Sequence, residues 1–276
     1  MKIIRKIEEI QQLTTTLRKE NKSIGFVPTM GYLHEGHMSL MKHARENDDV
    51  VVASIFVNPL QFGPNEDFES YPRDEARDVK IAEETGVDIL FLPDVKEMYP
   101  HEPIIQMKIV DRTDVLCGRS RPGHFDGVIT VLTKLFHIVQ PDRAYFGIKD
   151  AQQVAVVDAL IQELNFPLEL VSVPTVREPD GLAKSSRNVR LSEDERKEAV
   201  WIYRALTYGK ELIEAGEKQP EKIIPEVIRL LEKNISGKID YVEMLSYPEL
   251  KQITEINGKI ILAAAVHFEN ARLIDN

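Results

Sequence analysis

His34 and His37 are the first side chains in this sequence suited to handling a proton or an anion together. They stand three residues apart within Ile24-Gly-Phe-Val-Pro-Thr-Met-Gly-Tyr-Leu-His-Glu-Gly-His37. Two imidazoles so placed can point at one bound group, hydrogen-bond phosphate oxygens and follow charge that develops during a reaction. The stretch reads as an apolar strand (Ile24–Val27), punctuation at Pro28 and Gly31, and a helix opening at Gly36–His37 and running through Leu40, Met41 and Ala44. A helix N-terminus after such a turn offers unpaired backbone N–H groups and a partial positive charge to an anion. The expected ligand is a nucleotide phosphate. Two plainer readings compete: a pair of surface histidines, or half of a zinc set. His-Glu-Gly-His is one residue short of His-Glu-x-x-His, however, and no cysteine lies near it in sequence.

Further candidates fall just after predicted strands. Asn58, Pro59 and Gln61, with Phe62 and Tyr71 in the same loop, follow a run ending at Val57; Gly147, Lys149, Asp150 and Gln153 follow Phe146; Gly181 to Asn188 follow a run ending at Val173. Lys149 is a compact cation suited to phosphates, and as a mere surface lysine it would sit badly with the dipole at a helix start. The amides of Gln61 and Gln153 both donate and accept, which fits a ligand with hydroxyl and carboxylate groups; as lone residues each reads first as an exposed polar side chain. Lys184-Ser185-Ser186-Arg187 gathers cations and hydroxyls, a pattern shared with solvated charged loops. Dinucleotide-binding and P-loop glycine patterns are absent, as is a Gly-x-Ser-x-Gly elbow. Cys117 beside Gly118-Arg119 reads as an incidental thiol rather than a nucleophile.

The elements that must position these residues alternate. A helix is predicted over 5–20 from Ile7, Ile10, Leu13 and Leu17. The β-branched run Val50–Val57 suits a central parallel strand covered on both faces. The loop Asn58–Pro72 is long enough to be a lid. A helix over Arg73–Glu84 ends at Gly86, and Val87–Pro93 is a buried strand. Ile104–Val110 is a further extended run, Arg112–His124 an Arg- and Gly-rich loop, and Phe125–Val139 an amphipathic helix. Strand Asp142–Gly147, helix Asp150–Leu164 and strand Leu168–Val173 follow. This alternation predicts a Rossmann-like doubly wound parallel sheet in an α/β fold, with ligands beyond the carboxyl ends of its strands. After Arg190 the pattern changes. Ser192 caps a helix reaching about Ala215, a second helix covers Pro220–Asn234, and β-like runs Ile239–Leu245 and Lys259–Val266 flank Asn257-Gly258. The expected domains are 1–178, and a smaller C-terminal α+β lid domain over 179–276, with the linker near 176–190.

Composition sets bounds on partners. The 276 residues carry a net charge of −10, which argues against a general nucleic-acid surface. No apolar run approaches ~18–20 residues, so no membrane span is expected. The single cysteine excludes an intrachain disulfide and fits a reducing compartment. The N-terminus, soon interrupted by Glu8 and Glu9, does not read as a signal peptide. A cytoplasmic location is the expectation.

Taken in order, these segments resemble the pantoate–β-alanine ligase family, within the HxGH nucleotidyltransferase superfamily related to class I aminoacyl-tRNA synthetases. The likeness covers nearly the whole chain. It rests on Pro28–His37, Phe56–Phe62, Asp67 with Tyr71-Pro72-Arg73, Arg121–Val128, Phe146–Gln153 and Asp180–Asn188. The resemblance implies a two-step reaction with ATP as co-substrate and Mg²⁺: pantoate is activated as pantoyl adenylate, then captured by β-alanine. It implies that Met30, Gly31, Tyr32, Leu33, His34, Glu35, Gly36 and His37 hold ATP, with His37 the proton donor and His34 beside it on the phosphates. Gly147, Ile148, Lys149, Asp150, Lys184, Ser185, Ser186 and Arg187 would line the nucleotide, with Val176 near the adenine and Lys149 acting in catalysis. Gln61 and Gln153 would bind pantoate, Gln61 also adjoining the β-alanine position, and Asn58 and Tyr71 would support that pocket. Ile148 and Lys184 depart from the commonest family residues. The metal ligands are not read from the sequence, Asp78 being only a candidate. A homodimer through the larger domain is implied by resemblance alone. Another nucleotidyltransferase acting on a phosphorylated acceptor, or a non-catalytic nucleotide-binding module, are the alternatives.

Overall fold

A computed structural model describes residues 1–64 and 66–276. In chain order the elements are β1 (Lys2–Ile4), α1 (Ile7–Lys19), β2 (Ile24–Thr29), α2 (Glu35–Asn47), β3 (Val50–Ile55), α3 (Glu75–Glu84), β4 (Ile89–Phe91), α4 (Val95–Met98), α5 (Leu116–Ser120), α6 (His124–Val139), β5 (Arg143–Gly147), α7 (Ala151–Glu163) and β6 (Glu169–Val173). Then come α8 (Glu193–Glu214), α9 (Pro220–Asn234), β7 (Lys238–Ser246), β8 (Ile260–His267) and β9 (Arg272–Asp275). The chain divides into two compact units. The first comprises residues 1–110, 121–147 and 156–174; the second comprises 111–120, 148–155 and 175–276.

The first unit is built on six parallel strands in the order β1-β4-β3-β2-β5-β6. Val51, Val52 and Ala53 of β3 are wholly buried, as a central strand covered on both faces requires. One core gathers Val27, Leu33, Met41, Ala44, Val51, Ala53, Leu90 and Tyr145. Strand order reverses between β2 and β5, the switch point where sheets of this class bind ligands. The two strands pair only through Gly25–Arg143 and Phe26–Ala144, whereas β2 pairs with β3 from Ile24 to Thr29. Beyond Phe26, therefore, no ladder joins the carboxyl-terminal half of β2 to β5.

Two strands escape a pattern-based reading. β1 and β9 span three and four residues, too short for a period to emerge. Ile104–Val110, expected to be extended, contributes no strand, and Ile104, Ile105 and Val110 lie open to solvent. The edge beside β4 is taken by β1 instead. Inside the Arg- and Gly-rich loop lies α5.

In the second unit an antiparallel sheet, β7-β8-β9, carries α8 and α9 on the face formed by Val242, Met244, Ala264 and Val266. The alternate residues Tyr241, Leu245, Ala263 and Ala265 are also buried. A sheet apolar on both faces needs a second cover, and the inserted segments 111–120 and 148–155 supply it. Tyr241 Oη lies 3.3 Å from Cys117 Sγ, and Tyr247 Oη donates to the Ala151 carbonyl at 3.3 Å. The units thus differ from consecutive spans 1–178 and 179–276. Nor is 176–190 a plain linker: Arg177 bridges Ala183 in a small hairpin turned at Gly181, and its guanidinium forks onto Asp275 at 2.5 and 2.9 Å.

Candidate functional site

The turn after β2 is built from unusual backbone. Gly31 and Tyr32 both take left-handed conformations, φ +84° and +50°, costly for tyrosine unless neighbours hold it. The holding group is Asp78 of α3, whose two carboxylate oxygens accept the Tyr32 and Leu33 amides, each at 2.7 Å. A side chain at Gly31 would sit 2.9 Å from Asp78 Oδ2 and 2.8 Å from Ile55 Cγ2. Thr29 Oγ1 accepts from Gly31 N at 3.1 Å and donates to the Ser54 carbonyl at 2.8 Å. Burial raises the Asp78 pKa above its ordinary range, opposed in part by the Leu33 and Tyr32 amides and by Arg77.

This turn delivers His34 to the N-cap of α2. Its Nδ1 accepts from Gly36 N at 3.1 Å, while His37 Nδ1 accepts from His34 N at 3.3 Å. With Nδ1 accepting in both rings, each neutral imidazole carries its proton on Nε2. The ring centroids lie 4.1 Å apart. The site therefore holds two paired N–H donors at a positive helix end. Gly36 makes this possible, because a Cβ there would come within 2.8 Å of the His34 ring.

In the same unit, β3 leads to a buried polar shelf. Asn58 and Gln61, 1% and 7% exposed, respectively cap and end a single 3-10 turn over Pro59–Gln61. Asn58 Nδ2 donates to Gln61 Oε1 and to the Gly127 carbonyl, both at 3.1 Å; Gln61 Nε2 faces Met30 Sδ at 3.2 Å. Gln61 thus meets the residue that opens the histidine segment. The following loop is tethered by Arg121, whose guanidinium forks onto Glu66 at 2.7 and 2.6 Å. His124 joins Arg121 to the Gln61 carbonyl through contacts of 3.1 and 2.8 Å. Tyr71 is buried against the edge of Phe62, with ring centroids 6.0 Å apart. Gly127 lets α6 approach this shelf: a Cβ there would lie 2.2 Å from the Leu60 carbonyl oxygen.

The other predicted residues belong to the second unit, except Gly147, which ends β5. Ile148–Asp150 form one 3-10 turn. The Lys149 side chain is 17% exposed and its Nζ lies 3.9 Å from Asp150 Oδ1. On α7 two neighbouring glutamines separate by role. Gln152 is buried, donating to the Arg112 and Val115 carbonyls at 2.9 Å and accepting from Gly118 N at 3.3 Å. Gln153 is half-buried. Val176 and Lys184 face one another across the 176–184 hairpin through Lys184 N to the Val176 carbonyl at 2.9 Å. The Lys184 ammonium pairs with Glu178 at 2.8 Å, so it is held toward its own hairpin. Ser185 Oγ accepts from Arg187 N at 3.3 Å, and Ser186 is buried.

Glu66, Arg121, His124 and Asp78 escape a reading of roles from sequence, since each acts through a partner distant along the chain. The spacing of Arg121 and His124 hints only at a shared face. Both oxygens of Asp78 serve the turn. Among the described residues, no cluster of three or more His, Cys, Asp or Glu could cage an ion.

The family model described as pantoate-beta-alanine ligase matches residues 2–276. A pantothenate synthetase of Geobacillus sp. (strain WCH70) is 61% identical, the match covering 100% of this chain and 98% of the relative; that of Bacillus subtilis (strain 168) is 60% identical over 99% and 96%. The crystal structure of pantothenate synthetase from Thermus thermophilus superposes with a TM-score of 0.94 at 43% identity, covering 100% of this chain and 98% of that one. That of a pantoate-beta-alanine ligase from Francisella tularensis, complexed with beta-gamma ATP and beta-alanine, gives 0.81 at 34% identity, covering 100% and 96%.

Proposed function

Because the chain belongs to the pantoate–β-alanine ligase family and joins pantoate to β-alanine through an amide bond, we propose that it does so in two steps driven by ATP, with the residues above in defined roles. In the first step a pantoate carboxylate oxygen bonds to the α-phosphorus of ATP, the bond to the β-phosphate bridge breaks, and pyrophosphate leaves. In the second, the β-alanine ammonium first gives one proton to solvent, the free amine nitrogen bonds to the activated carbonyl, the bond to AMP breaks, and the second nitrogen proton passes to the AMP phosphate or solvent.

The observation that carries this reading is the pair of Nδ1-anchored imidazoles at the start of α2. Their Nε2–H donors suit a triphosphate, whose charge shifts toward the leaving pyrophosphate as the reaction proceeds. His37 is the proposed proton donor, its Nε2–H hydrogen-bonding the departing pyrophosphate while the proton stays on the ring, His34 is its partner on the phosphates, and Lys149 the cation that follows the developing charge. Met30 to Gly36, Gly147, Ile148, Asp150, Val176 and Lys184 to Arg187 form the nucleotide's lining; Lys184 takes part through its backbone, given its pairing with Glu178. Gln61 and Gln153 hold pantoate, supported by Asn58 and Tyr71. No residue is assigned to Mg²⁺, which would enter bound to ATP and would supply neutralisation of charge on the departing pyrophosphate. The 58–72 loop acts as a lid that keeps water from the acyl adenylate. A cytoplasmic homodimer completes the proposal.

Incubation with ATP, Mg²⁺, pantoate and β-alanine is expected to give AMP and pantothenate in equal amounts. Pantoate alone is expected to support exchange of labelled pyrophosphate into ATP. ADP as product, or ATP consumption independent of pantoate, would overturn the reading.

A further inference from the structure

Gln61 is more than nine-tenths buried, yet its carboxamide can be oriented two ways, presenting either an N–H₂ or a C=O toward Met30. The orientation is fixed from behind. Tyr99 Oη donates to Asn58 Oδ1 at 3.0 Å, and Leu60 N donates to the same oxygen at 3.3 Å. That oxygen can only accept, so Asn58 must turn its Nδ2 toward Gln61 Oε1 and the Gly127 carbonyl. Gln61 Oε1 is thereby consumed, and Gln61 Nε2 is left facing the thioether of Met30 at 3.2 Å, a weak acceptor. A buried donor with so poor a partner is primed for a better one.

We propose that Tyr99 is a positioning residue. Through Asn58 it fixes the polarity of Gln61, so that this subsite presents donors only and selects a ligand oxygen that accepts. The chain of polarity runs Tyr99 O–H, Asn58 C=O, Asn58 N–H₂, Gln61 C=O, Gln61 N–H₂. Tyr99 makes no direct contribution to the reacting atoms. Its ring is set by Phe56, 6.0 Å between centroids, and by Lys134 Nζ at 5.5 Å, contacts that phenylalanine would keep. The inference rests on the proposed role of Gln61 in holding the pantoate carboxylate, and deepens it: the preference for carboxylate over carboxamide is set away from the ligand.

The test compares wild type with Tyr99→Phe and Asn58→Asp, each also in a Gln61→Ala background. Tyr99→Phe is expected to raise the pantoate KM by about 3- to 10-fold, with kcat and the ATP KM near wild type, the size of one lost hydrogen bond. Asn58→Asp, which can only accept, should draw the Gln61 N–H₂ toward itself. It is expected to lower the preference for pantoate over its primary amide, used as a competitive inhibitor, by at least ~10-fold. Both effects should vanish when Gln61 is alanine, because a relay has nothing left to orient. An unchanged pantoate KM in Tyr99→Phe, or the same rise in the Gln61→Ala background, overturns the relay while leaving the ligase reading standing. Wild type without pantoate-dependent AMP formation overturns the ligase reading instead. In that event the side-chain amide signal of Gln61, followed by ¹⁵N NMR, still decides the relay: it shifts in Tyr99→Phe if the relay holds and stays fixed if it does not.

Discussion

Asp78 accepts the backbone N–H of Leu33 at 2.7 Å across 45 residues of sequence. The contact ties α3 to the turn that carries the two histidines, and with the Tyr32 amide on its other oxygen Asp78 grips both sides of a left-handed bend. Charge-assisted bonds of this kind are the strong ones, and the buried carboxylate has little else to satisfy it.

Replacing Asp78 with Asn puts an N–H₂ where one of those amides must donate. The cost expected is about 1.5–3 kcal/mol of stability, typical of losing hydrogen bonds to a charged group. A fall of at least ~10-fold in kcat should accompany it, as the histidine turn loses its set. Denaturant unfolding and steady-state kinetics on one preparation measure both. Full activity would remove Asp78 from the account of the site.

His34→Ala, His37→Ala and Lys149→Ala are each expected to lower kcat/KM by at least ~10²-fold if the side chains act on the transition state. The His34 change should also cost about 0.5–2 kcal/mol, since it removes the N-cap of α2. Asn at position 34 should restore that cap and the stability without restoring turnover. Circular dichroism and denaturation separate the two effects.

Gly36→Ala should reduce activity while leaving the sheet intact. The new methyl, within 2.8 Å of the His34 ring, must rotate or shift the imidazole. Because alanine suits a helix better than glycine, by roughly 0.8–1 kcal/mol in a helix interior, loss of turnover with little loss of stability is the expected outcome.

The Arg121–Glu66 fork predicts a dependence on acid. Burial raises the Glu66 carboxyl, but the Arg121 hydrogen bonds and charge outweigh it, so the native pKa lies below the ordinary 4.5. A carboxylate depressed on folding contributes stability that is present above the unfolded pKa and lost as pH falls through the native one. Wild type should therefore exceed Glu66→Gln by about 1–2 kcal/mol near neutrality, less than a fully buried pair would give. The gap should close as pH falls below the ordinary carboxylate range and through the lowered native pKa, where the carboxylate takes up its proton. Paired denaturation curves between neutral and acid pH measure it, and a gap that stays constant would exclude the ion pair as its source.

The neighbouring glutamines of α7 should behave oppositely. Gln152→Ala strands two carbonyls and an N–H of the 112–118 segment, and is expected to destabilise by about 2–3 kcal/mol. Gln153→Ala should change stability by under about 0.5 kcal/mol, and raise the pantoate KM if it holds that substrate. Equal stability losses at the two positions would show that Gln153 is structural as well.

Much of this was legible in the chain itself. The apolar run of β3, the cap at Ser192 and the turn between β2 and α2 follow from patterns that local physics enforces: buried β-branched residues, capping hydroxyls, glycine where the backbone turns left-handed. The histidine pair was readable for the same reason, since its members lie on adjoining turns of one element. β1 and β9 were not legible, because so few residues carry no periodicity and gain their strand character only from a neighbour's ladder.

Residue order alone carries the family, the alternating parallel sheet and the identity of the polar residues at its strand ends. Folding sets which way those residues face and what holds them. Asp78 clamps the turn, Tyr99 sets the polarity of Asn58 and Gln61, and segments 111–120 and 148–155 cover the second face of the C-terminal sheet. Each is a pairing between residues far apart in the chain. Hydrogen-bond direction and burial depend on the partner that folding brings into reach, and no local pattern encodes that partner.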